Sequence, residues 1–181
     1  MDQKKDRRGI QLKWLLLSVL VVAVDLISKA WVTDSFNYAE RLYVLPVFDL
    51  TLLHNTGAAF SFLAGESGWQ RWFFALVAVG VSGGLLVWMA KLKASETWLA
   101  CALALVLGGA LGNLHDRILL GHVVDFLLFH WDGAYFPAFN LADAAITLGA
   151  GMLIVDMVRN PENGKGSGKN SDKADNGKER G

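Results

Sequence analysis

The sequence predicts a mainly α membrane protein: four transmembrane helices, a small outer region of short strands, and both termini in the cytoplasm. Three observations carry this. Of 181 residues, 53% are hydrophobic and only 19% charged, and many of the charges sit at the two ends. A soluble domain of this length spreads its charges over every surface helix. Four long stretches are nearly free of charge, and each approaches the roughly 20 residues needed to cross a hydrocarbon core about 30 Å thick. Lysine and arginine are also unequally shared between the connections, as they are in proteins oriented by the positive-inside rule.

The first stretch covers residues 10–32, with an uninterrupted apolar centre at 15–24. Its basic start resembles a signal peptide. It is long, however, holds Asp25 and Lys29, and is followed by no clear small-x-small site, so it reads as a retained span. Residues 72–90 and 97–114 hold no charge at all, and 136–158 is apolar apart from Asn140, Asp143 and Asp156. Trp14, Trp31, Trp72, Trp88 and Trp98 fall near the ends of these stretches, where amphipathic rings settle at the headgroup level. Gly80 with Gly84, and Gly108 with Gly112, offer small residues four apart, a spacing that lets helix backbones approach closely in lipid.

Lys4, Lys5, Arg7, Arg8 and Lys13 lie on the N-terminal arm and at the very start of the first span, Lys91 and Lys93 join the second to the third, and Arg159 leads into a tail with five more basic residues. The connections 33–71 and 115–135 hold only Arg41, Arg71 and Arg117, which places them outside. Within the first of them, the run from Leu42 to Leu53 is rich in β-branched and aromatic residues and broken by Pro46, so it is expected to form short strands on the outer surface. Asn55-Thr56-Gly57 reads as a turn, and residues 58–63 as a small apolar segment at the interface. Residues 1–159 are expected to form one unit, and 160–181, polar and without an apolar anchor, a disordered tail.

The acids and bases number 17 each, so charge gives no support for nucleic-acid binding. The single cysteine, Cys101, can form neither an intrachain disulfide nor a multi-cysteine metal site. His54, His115, His122 and His130 lack tight ligand spacing, and there is no H-E-x-x-H or G-x-S-x-G pattern, so neither a metal nor another cofactor is expected.

Ionisable groups at membrane depth are expensive and point to function. Asp25 and Lys29, four apart, share a helix face and are placed to pair. Asp125, on the outer connection, and Asp143, a few residues into the fourth span, are free to meet at the outer boundary. Two carboxylates in contact do not readily both ionise, so they share a proton near neutrality and supply a base and an acid together. That is the equipment for metal-free attack of water on a peptide bond. Arg117, Asn55, Asn113 and Asn140 lie close to the same boundary, suited to orient a substrate backbone or the carboxylates, or to cap turns and helices. A proton channel and a membrane chaperone remain the competing readings, although the absence of charge in the second and third spans leaves a channel without a relay.

Taken together, Asn55-Thr56-Gly57-Ala58-Ala59-Phe60-Ser61, Gly112-Asn113-Leu114-His115-Asp116-Arg117, Gly121-His122-Val123-Val124-Asp125-Phe126 and Phe139-Asn140-Leu141-Ala142-Asp143 resemble the signature blocks of the lipoprotein signal peptidase (signal peptidase II) family, in that family's order. Asp25-Leu26-Ile27-Ser28-Lys29 resembles its first-helix block. The resemblance implies four helices with a small extracytoplasmic β-cradle. It also implies an aspartic endopeptidase that removes signal peptides from diacylglyceryl-modified prolipoproteins, cutting before the lipidated cysteine. Asp125 and Asp143 fall on the catalytic pair. Asn55, Gly57, Asn113, Asp116, Arg117, Asn140 and Ala142 fall on site-lining positions, and Asp25 and Lys29 on supporting ones. The implied partners are the prolipoproteins and membrane lipid. The expected setting is the cytoplasmic (inner) membrane, with a monomeric protein whose site faces outward. Leu26 stands where the family often has Gln, and Ala144 where Ser often follows the second aspartate.

Overall fold

In the computed structural model, which describes residues 11–57 and 68–159, four helices are each long and apolar enough to cross a membrane. They are α1 (Leu12–Ser35), α2 (Trp69–Lys91), α3 (Thr97–Leu119) and α4 (Leu141–Arg159). Between them lie β1 (Arg41–Leu45), β2 (Phe48–Asn55), β3 (Val123–Trp131) and β4 (Ala134–Tyr135). At about 1.5 Å per residue, the 24 residues of α1 extend roughly 36 Å, enough for the hydrocarbon core.

α3 is the axis of the bundle. Its apolar stretch is 67% buried, against 22% for α1 and α2 and 11% for α4, and all three pack on it. Glycine makes the tightest of these contacts possible. A methyl group on Gly108 would lie 2.7 Å from Cβ of Val21, and one on Gly149 would lie 2.7 Å from the carbonyl oxygen of Ala102. Without side chains at these points, the backbones of α1, α3 and α4 come together. The pair Gly80 and Gly84 behaves differently. Nothing among the described residues lies within 4 Å of a methyl group at either, so the close approach expected there is not made among them. At one end, Leu85, Met89, Leu99, Leu103 and Leu107 form an apolar core between α2 and α3.

At the other end, the strands form one antiparallel sheet in the order β1-β2-β3-β4. Val32 of α1 packs with Leu52, Val124 and Phe126, which seats the sheet on the helices. The strands expected in the first outer connection are β1 and β2, turning at Pro46-Val47. The second connection was expected only as a loop, yet it carries β3 and β4. Asp132 and Gly133 both have positive φ, 47° and 79°, as a tight I′ hairpin turn requires.

Two helix boundaries differ from expectation. α3 continues to Leu119 instead of ending at 114, because the side chains of Asn113 and Asp116 are hydrogen-bonded within the protein. α4 begins at Leu141 instead of 136. Phe139 exchanges backbone hydrogen bonds with Leu127, at 2.8 and 3.1 Å, and Pro137 lies in the same extended segment. The apolar segment at 58–63 and the polar tail from 160 lie outside the described residues.

Candidate active site

The sheet and the start of α4 bring the two aspartates together, and Asn140 joins them. Asn140 caps α4: its Oδ1 accepts from the backbone N–H of Asp143 at 2.9 Å, and Asp143 Oδ2 accepts in return from the backbone N–H of Asn140 at 3.4 Å. This reciprocal capping box fixes the Asp143 carboxylate above the first turn. The amide nitrogen of the same Asn140 donates to Asp125 Oδ1 at 2.7 Å. One fully buried residue therefore holds both carboxylates.

Each aspartate has a second amide donor. Asn55, the last residue of β2, donates from Nδ2 to Asp125 Oδ2 at 2.9 Å. Antiparallel pairing places Leu53 opposite Asp125, so the two strands set this contact. Asn113 of α3 donates from Nδ2 to Asp143 Oδ1 at 2.7 Å. Burial pushes the Asp125 carboxyl up, the Asp143 charge pushes it further, and the donors Asn55 and Asn140 only partly oppose this, so it titrates at about 7. A carboxyl pushed up to that value carries a proton for part of the time near neutrality.

Beneath the pair lies a buried charge network. Lys29 Nζ lies 2.7 Å from Asp25 Oδ2 and 2.9 Å from Asp116 Oδ2 as an ion pair with each, and donates a hydrogen bond to Asn113 Oδ1 at 3.0 Å. Asp25 Oδ1 accepts from the backbone N–H of Ala142 at 2.9 Å, so α1 also caps α4. Asp116 Oδ2 accepts from the backbone N–H of Val124 at 3.2 Å, tying α3 to the strand that carries Asp125.

A cleft of about 760 Å³ opens beside Asp143. Asn55, Asn113, Arg117 and Asp143 give its lining polar groups, and Phe136, Phe139, Ile146 and Leu148 apolar ones. Asp125 is 3% exposed and is tied to this lining by Asn55. Arg117 donates to the carbonyls of Asn113 at 3.3 Å and Gly57 at 3.4 Å and lies over the ring of Phe74. Gly57 N–H in turn donates to Asn55 Oδ1 at 3.0 Å, which closes the turn expected there.

Four residues expected to line the site, Gly57, Asp116, Asn140 and Ala142, do not border the cleft: Gly57 is buried behind Asn55 and Arg117, and Asn140 is buried between the aspartates. Ala142 is fully buried, because its backbone N–H is held by Asp25 and its methyl group faces Gly112. Asp116 is 2% exposed and bound to Lys29 and Val124, so it belongs to the network below. Sequence reasoning paired Lys29 with Asp25 but missed Asp116 and Asn113, which are far from it along the chain and carry no local signal. It also missed the apolar wall at 136–139, where aromatic residues beside a proline were the available sign.

Two carboxylates bridged by an amide, beside an apolar cleft among membrane-spanning helices, define the class: an aspartic peptidase of the membrane. The family model described as signal peptidase (SPase) II matches residues 17–159, and the chain belongs to that family. A lipoprotein signal peptidase of Pseudomonas aeruginosa is 59% identical over 162 residues, covering 88% of this chain and 95% of the relative. One from Pseudomonas fluorescens is 58% identical over 157 residues, covering 86% and 92%. Among solved structures, a bacterial membrane enzyme determined by the in meso method superposes with a TM-score of 0.77 at 28% identity, covering 89% of this chain and 96% of that one.

Proposed function

We propose that the chain removes signal peptides from diacylglyceryl-modified prolipoproteins by cutting before the lipidated cysteine, with Asp125 and Asp143 as its catalytic pair. The observation that carries this reading is the double contact of Asn140, whose side chain reaches Asp125 at 2.7 Å and whose backbone reaches Asp143. The ionised member of the pair takes a proton from water as the water oxygen attacks the scissile carbonyl. The protonated member gives its proton to the carbonyl oxygen. A tetrahedral diol forms, the C–N bond breaks, and a proton passes to the leaving amine of the cysteine. Asn55, Asn113 and Asn140 hold the carboxylates, while Arg117, which lines the cleft and is braced by the carbonyl of Gly57, stands ready to meet substrate backbone.

In this reading the lipidated cysteine waits at the membrane boundary with its acyl chains in lipid. The apolar side chains of the cleft receive it sideways, so the lipid stays in the bilayer. Residues 1–159 form the peptidase unit, a monomer in the cytoplasmic (inner) membrane with both termini inside and the sheet outside. The distribution of Lys and Arg supports that orientation, and residues 160–181 form a polar tail.

The test uses purified wild type, Asp125→Asn and Asp143→Asn on a synthetic precursor, with and without diacylglycerol on its cysteine and in the presence of a chelator. Cutting by wild type alone, of the lipidated form alone, and unaffected by the chelator is the expected result. Equal cutting of the unlipidated form would overturn the substrate, and turnover by either variant would overturn the pair.

A further inference from the structure

Thr147 lies four residues beyond Asp143 on α4 and lines the same cleft. Positions four apart share a helix face, so its side chain sits one turn, about 6 Å, further along the helix than the Asp143 carboxylate. Threonine within a helix commonly returns its hydroxyl to a backbone carbonyl three or four residues earlier. Ser28 does so on α1, donating to the carbonyl of Asp25 at 2.8 Å, and Ser18 donates to Ala104 of the neighbouring helix at 2.9 Å. Thr147 makes no hydrogen bond among the described residues, and it is exposed. Its neighbours in the cleft, Ala144, Ile146 and Leu148, have no polar side-chain group to offer it. A hydroxyl without a partner is costly at membrane depth.

We propose that the Thr147 hydroxyl donates a hydrogen bond to a carbonyl oxygen of the bound substrate and so helps select it. This rests on the reading of the cleft as the site for a lipidated precursor. With the scissile bond beside Asp143, a group one turn further in is an ester carbonyl of the diacylglyceryl chain or a backbone carbonyl of the signal peptide. The chemistry is the same for both: an acceptor with no water to satisfy it. A residue that grips substrate and transition state alike acts mainly on KM.

The test compares wild type, Thr147→Val and Thr147→Ser on two synthetic precursors, one with a diacylglyceryl ester on its cysteine and one with the dialkyl ether. Valine keeps the shape and removes the donor, whereas serine keeps the donor. The expected result on the ester precursor is a fall of about three- to tenfold in kcat/KM for Thr147→Val, mostly through KM, with Thr147→Ser near wild type. If the fall vanishes on the ether precursor, the acceptor is the ester carbonyl; if it persists, the acceptor is a peptide carbonyl. Either pattern upholds the proposal. Equal kcat/KM for Thr147→Val and wild type, or equal impairment of the valine and serine variants, overturns it while leaving the substrate reading intact. A wild type that cuts neither precursor overturns that reading, and the proposal with it.

Discussion

The ammonium of Lys29 lies 3.0 Å from Oδ1 of Asn113, and this contact decides which way the Asn113 amide faces. Its oxygen turns to Lys29, so its nitrogen turns to Asp143, at 2.7 Å. A buried charge on α1 thereby orients a donor on α3 toward a carboxylate on α4.

Lys29→Met leaves Asp25 and Asp116 buried without their cation. Breaking a buried pair by removing one partner costs about 3–5 kcal/mol. Thermal unfolding in detergent is expected to show a large fall in Tm with loss of activity. Adding Asp25→Asn to Lys29→Met removes one of the stranded charges and is expected to recover part of the Tm.

Asn140 caps α4 through Oδ1 and donates from Nδ2 to Asp125 Oδ1, Asn113 Oδ1 and the carbonyl of Val124. Asn140→Ser keeps a capping oxygen for the Asp143 N–H but is too short to reach Asp125. Serine and asparagine cap about equally well, within roughly 1 kcal/mol. The lost Nδ2 contacts to the buried Asn113 and Val124 oxygens are expected to lower Tm moderately, while kcat measured well below the new Tm falls by about a hundredfold, on the scale of losing one positioned donor. Unchanged kcat in the folded variant would show that the contact to Asp125 has no part in turnover.

The Asp125 carboxyl titrates at about 7, raised first by burial and then by the Asp143 charge. The one-proton form of the pair is therefore lost as pH rises through that value, and kcat is expected to fall on the alkaline side. Asn55 donates to the carboxylate and so favours ionisation, lowering the value. Asn55→Ala removes that donor, so the residual activity is expected to persist to higher pH. A pH–rate profile of both proteins reads the direction of the shift.

Glycines on two helices are expected to respond oppositely to alanine. A methyl group on Gly112 would lie 2.6 Å from Asp25 Oδ2, crowding the carboxylate that caps α4. Overpacking of this kind costs about 1–3 kcal/mol. Gly80 faces open space, and alanine there gains helix propensity of up to about 1 kcal/mol. Thermal unfolding of Gly112→Ala and Gly80→Ala checks both signs.

The four helices were legible because their signal is local: twenty apolar residues announce themselves without reference to the rest of the chain. The hairpin of β1 and β2 was legible for the same reason. β3 was overlooked although Val123-Val124-Asp125-Phe126 is strand-like and Asp132-Gly133 marks a hairpin. The run from Val123 to Trp131 is apolar on both faces apart from Asp125 and His130, so it lacks the period-two alternation that marks a half-buried strand. The start of α4 was misplaced because Phe136 to Phe139 are apolar enough to continue a span, and only their pairing with β3 shows that they are extended. The two aspartates were identifiable as expensive residues near one boundary. Their joining through Asn140, and the reach of Lys29 from α1 to Asn113 and Asp116, depend on how distant helices pack, and no local pattern encodes that.

The central claim is that Asp125 and Asp143 work as one unit. The most direct test measures turnover of a lipidated precursor by Asp125→Asn, Asp143→Asn and the double variant, against wild type. Residues that act together are strongly non-additive. Each single variant is expected to lose at least about a thousandfold in kcat, with the double variant no worse than either. A single variant that retains substantial turnover, or losses that multiply in the double variant, would contradict the account.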